Sequence, residues 1–85
     1  MPEIIAPIIH MNGDRAEVLI AALDNAYDTV QMALLALGRC APNGRNFYPV
    51  PGLLECAEAQ HHERMLHLST LLASLKGEIS AIHTR

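Results

Sequence analysis

The chain has no tryptophan, one phenylalanine and two tyrosines among 85 residues. A core built from it must therefore be aliphatic. The 51% of hydrophobic residues are mostly Ala, Leu and Ile, a set suited to helix faces. Basic residues are also scarce: six Lys and Arg against nine acids, for a net charge of −3. Nucleic-acid binders present a basic face, so direct nucleic-acid binding is not expected. The nine acids are too few and too evenly spread for a DNA mimic, whereas a local site for a small anion stays open. No apolar run reaches the ~18 residues that cross a bilayer. The start MPEIIAPIIHMNG lacks a basic n-region and a small-residue cleavage site. These absences set the expectation of a cytoplasmic chain with no membrane partner. The two cysteines, Cys40 and Cys56, form no C-x-x-C and no Cys–His metal spacing. Reduced thiols are expected in a cytoplasm, although both flank one loop and a pairing there stays open.

What is present reads as two helices. Residues 1–13 form an arm and turn, in which Pro2 and Pro7 prevent helix and Ile4, Ile5, Ile8 and Ile9 call for cover by this chain or a second copy. Asp14 is the expected N-cap of helix 1 (14–40), with Glu17 completing a capping box. Leu19, Leu23, Ala26, Val30, Ala33, Leu37 and Cys40 step by four and three, a heptad seam, with Ile20, Tyr27 and Leu34 beside it. Ala22, Thr29 and Ala36 flank the other side with small groups. Residues 41–52 hold three prolines and two glycines and must break the helix. Helix 2 (53–82) repeats the spacing at His61, Met65, Leu68, Leu72, Leu75, Ile79 and Ile82, and Gly77 marks an expected weak point or fraying after Lys76. The expected fold is all-α: one antiparallel helical hairpin domain with an extended N-terminal arm. A chain this short buries only ~60% of its unfolded surface, and two helices cannot cover apolar arcs this wide. Self-association into a homo-oligomeric bundle of four or more helices is therefore expected.

Three clusters carry possible chemistry. Glu58, His61 and His62, with Glu55, have the Glu-x-x-His spacing of di-iron bundles, but helix 1 lacks the further inward carboxylates, so no metal and no cofactor are expected. His61, His62, Glu63 and His67 could exchange protons, yet no nucleophile accompanies them, and an enzyme is not expected. The loops say more. His10-Met11-Asn12-Gly13 precedes helix 1, and Pro42-Asn43-Gly44-Arg45-Asn46-Phe47-Tyr48-Pro49 precedes helix 2. They combine amides, a guanidinium and adjacent aromatics, the groups that hold a planar, phosphate-bearing molecule. The candidate ligand-binding residues are His10, Asn12, Asn43, Arg45, Phe47 and Tyr48. The loops lie at opposite ends of helix 1, so a shared site would form between antiparallel copies. The plainer alternative is turn chemistry and an aromatic plug.

The same residues carry a resemblance. The chain resembles small phage and prophage proteins with an H-x-N-G start, a P-N-G-R-x-Y-Y-P interhelix loop, and a later His and Arg, here His61 and Arg64. It departs from that pattern at Phe47, where the set has Tyr. The resemblance implies a phage accessory role in a bacterial host cytoplasm. The expected function is a non-enzymatic counter-defence protein that binds and withholds a nucleotide-like signal. The alternatives are a protein-binding inhibitor or adaptor acting through the apolar arm, and a small virion or packaging component.

Overall fold

The computed structural model describes residues 3–10 and 13–84, and among them it is all-helical. Helix α1 spans Ala16–Gly38, a single 3-10 turn covers Gly44–Asn46, and helix α2 spans Leu53–His83. Met65 lies beside Gly38 at the end of α1, and Ile4 of the arm lies beside Gly77 late in α2. The chain therefore doubles back, and α1 stops level with the fourth turn of α2. The loop between them folds over the first three turns of α2.

Helix α1 starts later than the expected capping box. Arg15 takes the N-cap, extended at φ −68° and ψ 151°, without a side-chain cap. The amides of Val18 and Leu19 both donate to the Arg15 carbonyl, at 3.1 and 3.2 Å. Asp14 is thereby one residue outside the cap, and the first turn of α1 has no side-chain cap. At the other end the Arg39 and Cys40 amides donate to Ala36 and Leu37, tightening the last turn before Pro42, which has no amide to continue it.

All seven expected seam residues of α2 are partly or fully covered. On α1, Leu19, Leu23, Ala26, Val30 and Leu37 turn inward with Ile20, Tyr27 and Leu34, but Ala33 and Cys40 are exposed. Cys40 lies past the end of α1 at Gly38, and for Ala33 the reason is the mismatch between 3.5 and 3.6 residues per turn. In a straight helix the inward line drifts, and after Val30 it passes through Leu34 instead of Ala33. The expected fraying after Lys76 is not seen, since α2 runs unbroken past Gly77 to His83. A Cβ built on Gly77 would stand 3.2 Å from Cγ1 of Ile4, so the missing side chain is what lets the arm lie down on the helix. Ser74 and Ala81, three and four residues from Gly77 on that face of α2, and Glu78 beside it are partly covered as well.

The hairpin encloses very little. Among the described residues only Leu72 and Ile82 are buried, at 9% and 3% exposure, and α1 has no buried residue. The radius of gyration is 18.2 Å, in a shape 63 × 22 × 17 Å. A compact chain of this length would have a radius of gyration of ~12 Å. The accessible surface is 6568 Å², against ~5,000 Å² for a compact protein of the same mass. No helix among the described residues is long and apolar enough to cross a membrane.

Candidate functional site

The loop end of the hairpin is held mainly by its own backbone. Asn43 is extended, at φ −120° and ψ 150°, and its Oδ1 accepts the Arg45 amide at 3.0 Å. This side-chain cap starts the 3-10 turn. The amides of Phe47 and Tyr48 then both donate to the Gly44 carbonyl, at 3.1 and 2.9 Å. Gly52 closes the segment in the left-handed region at φ 83°, the one residue there among those described, and forms the N-cap of α2.

Between this loop and α2 lies a cavity of about 290 Å³. Cys40, Ala41, Pro42, Asn43, Asn46 and Phe47 line it from the loop side, and Ala57, Gln60, His61 and Arg64 from α2. The four α2 positions are three or four residues apart and so share one helix face. The lining is chemically uneven. It offers a guanidinium, an imidazole, three carboxamides and one aromatic wall, and it contains no carboxylate. In a chain with net charge −3, that is a local reversal of sign. No described side-chain hydrogen bond engages Arg64, Gln60 or His61. The Cys40 thiol is turned back to the Ala36 carbonyl, 3.6 Å away.

The expected site residues divide. Asn43 and Phe47 line the cavity, Phe47 half-buried. Arg45 and Tyr48 belong to the same loop but lie outside the cavity lining and are exposed, since the 3-10 turn directs neighbours in the chain to different sides. His10 lies beyond the other end of α1, ~35 Å along a helix of this length. There its carbonyl accepts the Gly13 amide at 3.1 Å, and its ring lies so close that a Cβ on Gly13 would come within 2.9 Å of Nε2. Asn12 lies outside the described residues. Of the weak metal candidates, His61 faces the cavity while Glu58 and His62 are exposed. No group of three or more His, Cys, Asp or Glu gathers around a common point among the described residues. Both cysteines are free thiols.

Asn46, Gln60 and Arg64 were not among the expected ligand-binding residues. The run His61-His62-Glu63-Arg64 looks like a wet helix face. The available signal was the three-residue step from His61 to Arg64, which places them on one side, together with the later His and Arg of the phage resemblance. Comparison with protein-family models, curated proteins and solved structures finds no match to this chain.

Proposed function

We propose that the chain is a non-enzymatic phage accessory protein of counter-defence type, which binds and withholds a small phosphate-bearing ligand of nucleotide character at the loop end of its hairpin. The observation that carries this reading is the acid-free cavity, with Arg64 and His61 on one wall and Phe47 on another. Arg64 supplies the fork that pairs with phosphate oxygens, Phe47 offers a flat face to a base, and Asn43, Asn46 and Gln60 read polar edges. At about 290 Å³ the cavity sits at the lower edge of small-molecule sites, so it suits a mononucleotide or one half of a larger ligand. The leading cation of the site is thus Arg64 rather than Arg45.

Calorimetric titration with a panel of mono- and cyclic dinucleotides tests this. A charge-assisted hydrogen bond is worth about 1.5–3 kcal/mol, so Arg64→Ala should weaken binding by ~10–100-fold, with Arg45→Ala changing it much less. Absence of heat across the panel, or full affinity in Arg64→Ala, overturns the reading. One observation favours an adaptor instead: Ile5 and Ile8 are 85% and 74% exposed on an arm tethered at Ile4. In that case removal of residues 1–9 abolishes capture of a protein partner and Arg64→Ala does not.

A further inference from the structure

Helix α1 has a second long face that its own chain leaves open. Val18, Ala22, Asn25, Thr29, Met32 and Ala36 step by four, three, four, three and four, and all six are exposed. Val18 and Met32 are 56% and 67% exposed. No charge falls in this line. The three acids of α1, Glu17, Asp24 and Asp28, gather on a separate flank of the helix. The Thr29 hydroxyl already donates to the Asn25 carbonyl at 2.8 Å, so covering that pair leaves the hydroxyl satisfied.

The order of sizes along this line is its own complement when reversed about the level of Tyr27. Run antiparallel against itself, the line sets Val18 opposite Ala36, Ala22 opposite Met32, and Asn25 opposite Thr29. Each large side chain meets an alanine, and polar meets polar. A seam that matches itself under a two-fold rotation is the signature of an isologous contact. The area suffices: the chain exposes ~1,600 Å² beyond a compact chain of its mass, about twice the ~800 Å² that a stable interface covers on each partner.

We infer that two copies of this chain pack antiparallel through the Val18–Ala36 face of α1, forming a four-helix unit. The same register brings the start of α1 in one copy level with the end of α1 in the other, the end that carries the cavity loop. Resting on the ligand-binding reading above, the site would then be completed across the two-fold, with His10 of the second copy at its rim.

The test is the assembly mass in solution, by sedimentation at micromolar concentration. The wild-type chain should be an even-numbered assembly, and Ala22→Lys should halve its mass while circular dichroism keeps the helix signal. In Ala22→Lys/Met32→Glu each new lysine faces a new glutamate on the other copy, and the original mass should return. A monomeric wild type, an unchanged mass in Ala22→Lys, or no recovery in the double variant overturns the contact. In chains with both native cysteines changed to serine, a mixture of Val18→Cys and Ala36→Cys should cross-link as a heterodimer. Neither variant should do so alone, and equal cross-linking of one alone overturns the register. Nucleotide titration of Ala22→Lys separates the two readings. Affinity lost with the halved mass supports the shared site, and full affinity in the half-mass species overturns it. No heat in the wild type sinks the ligand reading alone, while the masses still decide the contact.

Discussion

Glycine within a helix normally costs stability, and replacing Gly77 by alanine should on propensity alone add about 1 kcal/mol. The structure predicts that this gain does not appear. A Cβ at position 77 would stand 3.2 Å from Cγ1 and 3.4 Å from Cδ1 of Ile4, closer than ordinary contact at the first of these. The arm must shift by a few tenths of an ångström or lift, and overpacking of this kind costs on the order of 1 kcal/mol. Gly77→Ala should therefore be close to neutral in the wild-type chain. Ile4→Ala removes every atom the new methyl would meet, so in that background Gly77→Ala should show the whole gain, ~4–8 °C in a domain of this size. The assay is a double-mutant cycle of thermal unfolding followed by far-ultraviolet circular dichroism. All four chains must be at one protein concentration, because association would move the midpoint. An equal rise in both backgrounds would refute the placement of Ile4 on Gly77.

Two further substitutions probe the loop that forms one wall of the cavity. Asn43→Ala removes the acceptor of the Arg45 amide; it should cost about 1 kcal/mol and speed hydrogen exchange at Arg45 while amides in the middle of α1 keep their rates. Gly52→Ala places a side chain at φ 83°, which costs roughly 1–2 kcal/mol for a residue with a Cβ, and should lower the unfolding midpoint by several degrees.

The helices were legible because their pattern is periodic over many turns. The α2 seam from His61 to Ile82 is covered at all seven expected positions, because an apolar repeat that long allows no other facing. The α1 seam failed at Ala33, where a strict heptad and a straight helix part company, and at Cys40, which lies past the end of the helix at Gly38. The cap failed by one residue, since the identity of Asp14 does not reveal that Arg15 is extended. The fraying expected after Lys76 did not appear, and the role of Gly77 was not legible because helix propensity is local, whereas its contact comes from Ile4, more than seventy residues earlier. The cavity was half legible. Asn43 and Phe47 stand in a loop of unusual composition, but Gln60 and Arg64 join them only because α1 ends level with Met65 and lets the loop fold over α2. That depends on where one helix stops relative to the other, which spacing along a single helix does not report.

The two enclosed side chains among the described residues, Leu72 and Ile82, both sit in the second half of α2, and the arm meets the helix there at Gly77. Resistance to opening is thus concentrated at one tip of the rod. Amides in these turns should be the slowest to exchange, and those from Cys40 to Ala57 among the fastest. The cavity lies at the yielding tip, so an occupant touching both Phe47 and Arg64 would act as a clasp between loop and helix. It would stiffen the part of the molecule that packing leaves loosest.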